Sequence, residues 1–281
     1  MNILKYSLFE SRTVKKFNDI LKNLGVMDKD GNIDLKDMIE KINQFLSKDG
    51  NKKKFIKEID DDVKPFVNVK NIKIKAKNLK PSQNTIFLDH ILSRLVVNDY
   101  DREQILSGEI KDHDILISED DHIIDGHHRW ASAFIINPKC EMDVTQIELS
   151  IEYALPLINA ILKAKDEINI DDTGNYSINI FEMEDWKKDR ICKKINSIIF
   201  NTIKNGVKLG NNKKKSEESW KLNDKSKKTK YFYKNIKDKL NIKNPLKKMS
   251  KNLKNIPKPM NIFGDREEMP QIKEKTAKKI L

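Results

Sequence analysis

The sequence predicts an α+β protein: a mixed sheet with helices, preceded by a helical hairpin and followed by a basic, largely disordered tail. Three observations predict it. Apolar residues recur at helical spacing through residues 1–60. Between 66 and 165, short strand-like alternations are interleaved with helical runs. Charge is also segregated: residues 204–259 hold nineteen lysines against four acids, a net of +15, which leaves −3 for the rest of a chain whose total is +12. A like-charged block of this kind is usually an unfolded or interacting tail.

These observations divide the chain into a helical N-terminal region (1–62), a central domain (63–200), a basic linker (201–259) and a short C-terminal segment (260–281). In the first region Leu8, Val14, Phe17, Ile20, Leu21 and Leu24 share one helix face. The turn Asp28–Asn32 comes next, and a second helix from Asp34 buries Met38, Ile39, Ile42, Phe45 and Leu46. Lys48–Asn51 ends it, and Pro65 marks the boundary between this hairpin and a separate central domain.

In the central domain, Ile72, Ile74 and Ala76 alternate with lysines as a half-buried strand. The loop Leu79-Lys80-Pro81-Ser82-Gln83 leads into a helix carrying Ile86, Leu88, Ile91, Leu92 and Leu95, and a second helical piece covers 101–106. Strands at 114–117 and 122–124 form a hairpin across the polar turn Ser118–Asp121. A helix then runs from the Asp125 region to Asn137-Pro138, a strand covers 144–149, a helix covers 152–164, and another spans Trp186 to Phe200.

Composition excludes several classes. No run approaches the length of a membrane span, and no secretory signal is visible, so neither a membrane nor a secreted setting is expected. The two cysteines, Cys140 and Cys192, are too few and too far apart for a metal knuckle and fit free thiols in a reducing compartment. Calcium is excluded at Asp28–Asp34, where Gly31 falls two positions early for an EF-hand and Ile39 stands at its twelfth place.

The string Asp125-Gly126-His127-His128-Arg129-Trp130 concentrates the chemistry. It lies between a strand and a helix. A glycine there lets the backbone approach a ligand closely, and the first amides of the helix favour an anion. Arg129 adds a planar fork suited to phosphate, and the two histidines offer donors that titrate near neutrality. Asp125 stands where an N-cap belongs or, functionally, as a base or metal ligand. Zinc is excluded because adjacent histidines do not share a helix face and no Cys or Glu lies at ligand spacing. Trp130 reads as core.

The order strand, Gly-x-x-Arg-aromatic, helix resembles the second signature box of the ParB/sulfiredoxin superfamily, and the preceding strand, loop, helix and hairpin are similar as well, over about residues 66–165. The resemblance implies that nucleotide phosphates (ATP, ADP or CTP, with Mg²⁺ held in part by Asp125) lie on Gly126, His127, His128 and Arg129, beside Ser82 and Gln83. His127 stands where sulfiredoxins carry their reactive cysteine, so reductase chemistry is not implied. No helix-turn-helix comes after the box, unlike partition proteins. Asp-Gly-His-His-Arg most resembles free-serine kinases, but a neutral Gln83 replaces their activating carboxylate, and Asp89 and His90 lie further along the helix. If the protein is catalytic, the resemblance implies phosphoryl transfer, with Asp125, His127 and His128 as candidate catalytic groups.

The Leu-Lys-Pro-Ser-Gln loop, the hairpin, the box and the Leu-Pro-Leu-Ile-Asn-Ala helix are similar to uncharacterised ParB-like proteins of large contractile-tailed phages. That likeness implies a host-cytoplasmic or virion setting, with phage head components as partners. Leu8-x-Glu10 before Ser11 is similar to prohead-protease sites, which implies a leader of residues 1–10 removed at the head; the alternative is an ordinary first helix.

Two further readings come from the tail and the setting. Lys213, Lys214, Lys215, Lys227, Lys228 and Lys230 with Tyr231 and Tyr233 suit phosphate neutralisation and base stacking, so nucleic acid bound through 204–259 is one alternative, with or without nuclease-like activity. A solvated linker is the plainer reading. The second alternative is a packaged, non-catalytic head protein. The segment Ile256–Ile272 is expected to dock back on the core.

Overall fold

The structure, a computed structural model, describes residues 41–42, 44–48, 50–58, 68–96, 98–164, 179–182, 240 and 243–259, together with Asp19 and Lys22. Five strands, β1 (Val69–Lys75), β2 (Lys80–Pro81), β3 (Glu109–Ser118), β4 (His122–Asp125) and β5 (Glu141–Ile147), form one sheet in the order β1-β5-β3-β4-β2. The β1/β5 and β3/β4 pairs are antiparallel, and the β5/β3 and β2/β4 pairs are parallel. The helices are α1 (Asn51–Glu58), α2 (Leu88–Val96), α3 (Asp99–Ser107), α4 (His127–Ile136), α5 (Ile151–Ala164) and α6 (Pro245–Leu253). The α+β class with a mixed sheet is therefore the class of the described chain.

Because strand side chains alternate between faces, neighbouring residues of β3 and β4 enter different cores. Ile115, Ile117 and Ile123 pack with Met142 and Val144 under α2, α4 and α6. Leu116 and Ile124 point the other way, joining Ile147 beneath α5 and α1. Trp130 is fully buried, as expected, and its indole N–H donates to the Ala76 carbonyl at 2.7 Å. The β3/β4 ladder shifts register between Leu116 and Ile117, which sets Leu116 opposite Asp125. Such an irregularity bends the strand and re-aims the residues beside it.

The hairpin turn also organises the second layer. The Asp120 carboxylate receives the Ser118 hydroxyl, lies 3.0 Å from Nδ1 of His122, and accepts the Ile151 N–H at 3.1 Å. It thus caps α5 from outside the helix. At the sheet edge, β1 alternates exposed lysines with half-buried Ile72 and Ile74.

Three expectations change. The N-terminal region is not separate: Ile42, Leu46 and Phe55 are buried with Leu155, Ile158 and Ile161 of α5. The helix end expected at Lys48–Asn51 is present, since helical residues stop at Leu46, but an unexpected further helix, α1, begins directly after Gly50. The basic stretch is not tail throughout, because α6 packs on α4 and buries Met249, Leu253 and Ile256, and Leu240 joins the same core. Its Asn252 side-chain amide donates to the Ile135 carbonyl at 2.8 Å, one of the carbonyls that a helix end leaves without an internal partner. Docking near Ile256 is thus observed, but through the helix that precedes it.

Strand boundaries move as well. β3 starts at Glu109, and β5 runs from Glu141 to Ile147. The expected leader (1–10), the first helix (8–24) apart from Asp19 and Lys22, the Asp28–Asp34 turn, Met38 and Ile39, the Trp186–Phe200 helix, Cys192 and residues 260–281 lie outside the described residues. Among the described residues no helix is long and apolar enough to cross a membrane.

Candidate functional site

The site is built at the β4–α4 junction. Gly126 is the N-cap of α4, with φ 94° and ψ 16°, and as a glycine it has no side chain with which to cap the helix. A Cβ at Gly126 would lie 2.8 Å from Ile115 Cγ1, which is closer than real contacts allow. Glycine is therefore required twice: for the left-handed backbone and for close packing on β3. The bare side of this residue faces the sheet, so the close approach expected for a ligand is made by Ile115 instead.

Asp125 is not the N-cap. Its Oδ1 accepts the Gly126 N–H at 2.8 Å, which places a half-buried carboxylate next to the start of the helix. His127, His128 and Arg129 occupy the first three helical positions. Within the helix itself the amides of this first turn find no carbonyl acceptors. Arg129 is 7% exposed, so the guanidinium stem runs through the protein.

The two histidines turn toward the loop after β2. His127 Nε2 accepts the backbone N–H of Ser82 at 3.2 Å and that of Gln83 at 3.3 Å, and it lies 3.2 Å from Ser82 Oγ. His128 Nε2 accepts the Phe87 N–H at 3.1 Å. Consecutive imidazoles thus hold both ends of the loop 82–87. A ring nitrogen that accepts an N–H carries no proton, so each ring is neutral with its proton on Nδ1. Burial pushes the His127 pKa down to about 3, although a hydrogen bond with the Ile123 backbone pulls the other way. The expectation that His127 titrates near neutrality is therefore corrected. It is a neutral strut, and the positive character of the junction comes from Arg129 and the helix start.

Ser82 is fully buried and its hydroxyl donates to the Ile123 carbonyl. Gln83 is 5% exposed, and its side-chain amide donates to the Thr85 carbonyl inside the same loop. His90, on α2, lies 4.8 Å from the His128 ring centroid, and Phe87 stacks on His128 at 6.4 Å. The structure thus brings Ser82 and Gln83 against Gly126–Arg129 across more than forty residues of sequence.

Asn179 went unseen in the sequence. Its carboxamide oxygen accepts the Ile86 N–H at 3.2 Å, its nitrogen donates to the Asn84 carbonyl at 3.0 Å, and Ile180 N–H donates to the Ile86 carbonyl at 2.9 Å. This clamps the middle of the loop. Nothing in a lone asparagine announces a partner 93 residues away.

Among the described residues no group of three or more His, Cys, Asp or Glu is arranged to hold a metal ion. Cys140 is buried, and burial raises its thiol pKa to about 11. The tail residues Lys213, Lys214, Lys215, Lys227, Lys228, Lys230, Tyr231 and Tyr233 lie outside the described residues. Compared with protein-family models, curated proteins and solved structures, the chain matches none.

Proposed function

We propose that the β4–α4 junction binds the phosphate group of a nucleotide, in the manner of a ParB/sulfiredoxin-like domain. The observation that carries this reading is the glycine-opened start of α4 with an arginine in its first turn. A left-handed Gly126 opens the helix, a buried Arg129 stands in its first turn, and the 82–87 loop is fastened beside it. Helix amides and a guanidinium fork are the groups that grip an anion. The succession of strand, loop, helix, hairpin and box supports the same reading.

In this proposal the histidines position the loop and do not move protons. Phosphoryl transfer is the reaction class that fits, with positioning as the main contribution of the protein. Asp125 supplies a single carboxylate, a donor set that suits Mg²⁺ when phosphates and water complete its shell. The bound ion would neutralise phosphate charge. A phage protein of the host cytoplasm or the virion is the setting proposed.

Calorimetric titration of the full chain with ATP, ADP, CTP and GTP, each with Mg²⁺, tests the reading. One of them should bind, and Arg129→Lys should weaken binding by about tenfold, because the planar fork is lost while the charge remains. Absence of heat with all four, or unchanged affinity in the variant, removes the proposal.

A further inference from the structure

We infer that α6 is an interaction surface for the phosphodiester backbone of nucleic acid, read without regard to sequence. This inference is independent of the β4–α4 junction. Residues 239–259 contain seven lysines and no Asp or Glu. In α6 and its C-cap, Lys247, Lys248, Lys251 and Lys254 are exposed, and Lys243 and Lys258 flank them in the open. Met249 and Leu253 are 1% and 2% exposed on α4. Helical spacing puts Lys247, Lys251 and Lys254 together on the face opposite that buried pair. Asn252, held by the Ile135 carbonyl, fixes the rotation of the helix, so this face cannot turn inward.

Three lysines of the sheet are treated differently. Lys70 pairs with Glu148 at 3.1 Å, Lys73 with Glu109, and Lys111 with Glu109 at 3.3 Å. Among the described residues no ion pair involves a lysine of α6. Those three face acids, whereas the lysines of α6 stand together as a row of charge.

The shape of that row selects the partner. Lys247 to Lys254 spans about 10 Å along the helix axis. A small anion meets only one or two of those charges. Duplex DNA offers one negative charge for about every 1.7 Å of its axis, and each neutralised phosphate releases counterions. A membrane-surface helix needs an outward apolar face as well as lysines, and the apolar face of α6 is already spent on α4.

The test uses the full chain and a short labelled duplex of mixed sequence, with binding followed by anisotropy over a salt series. The triple variant Lys247→Glu, Lys251→Glu, Lys254→Glu is compared with Lys213→Glu, Lys214→Glu, Lys215→Glu, which makes the same change in net charge. We expect the α6 variant to lose at least about tenfold more affinity than the comparator and to lower the log–log salt slope by about 3. In the unaltered chain, the duplex should shield Lys247, Lys251 and Lys254 from amine acetylation more than Lys70 and Lys80. That footprint needs no variant and so stands even if the triple substitution unfolds. Equal losses in the two variants, no shielding, or a preference for anionic phospholipid vesicles over the duplex overturns the inference.

Discussion

His127 Nε2 accepts the Ser82 N–H at 3.2 Å, so one imidazole joins the start of α4 to the loop after β2. The ring is fully buried, and the same nitrogen also faces the Gln83 amide. Removing it strands two buried donors, each of which costs about 1–3 kcal/mol. His127→Ala should lower unfolding free energy by about 3 kcal/mol in urea titrations. His127→Asn, which retains an acceptor, should recover part of that loss.

The same group sets an acid dependence. In the unfolded chain a histidine takes its proton near 6.5, whereas folded His127 resists until about 3. Between those values the unfolded state binds more protons, so stability is complete above pH 6.5 and falls as the pH drops toward 3. The slope reaches about 1.4 kcal/mol per pH unit. Burial would raise the Asp120 pKa, but hydrogen bonds from His122 and Ser118 prevail and hold it below the usual carboxylate value, so its contribution is lost only below about pH 4. Urea midpoints measured from pH 7.5 down to 4 should slope in the unaltered protein and flatten in His127→Asn. Parallel profiles would contradict this assignment.

Gly126→Ala tests the junction by adding one methyl group. It meets Ile115 Cγ1 at 2.8 Å and strains a φ of 94°. Together these should cost about 2–4 kcal/mol by denaturant titration. Ile115→Ala removes the clashing Cγ1, so the double change Gly126→Ala, Ile115→Ala should cost less than the sum of the two single changes by the steric share, while the backbone share remains.

Leu253 is 2% exposed between α6 and α4. Leu253→Ala should destabilise the whole central domain, by about 3 kcal/mol, in a single cooperative transition. If α6 were an accessory tail, unfolding monitored at Trp130 would not change.

Cys140 should resist alkylation in the native protein, because it is buried and its thiol pKa is raised to about 11. Mass spectrometry after iodoacetamide treatment separates it from Cys192. Labelling of Cys140 at the native rate of an exposed thiol would show that the β5 end opens.

Much of the central domain was legible because its signals are local. Alternation marked β1, the polar Ser118–Asp121 turn marked the hairpin, and Asn137-Pro138 marked the end of α4. The elements that were missed depend on tertiary partners. In α1, Phe55 and Ile56 are set among lysines, and a helix of eight residues holds only by packing on α5. In α6 the lysines mask the buried pair Met249 and Leu253. Hydrogen bonds do join Ser82 and Gln83 to the junction, but periodicity cannot tell which way an embedded imidazole turns. His127 looked like a donor to an anion and proved to be an acceptor for its own chain. Asn179 carried no local signal at all.

The packing of α6 on α4 also bears on synthesis. Asn252 comes 117 residues after its partner Ile135. At translation speeds of about 5–20 residues per second, the nascent α4 waits about 6–23 seconds for its cover. Through that interval the ribosome presents a greasy, unfinished surface, which α6 closes as it emerges.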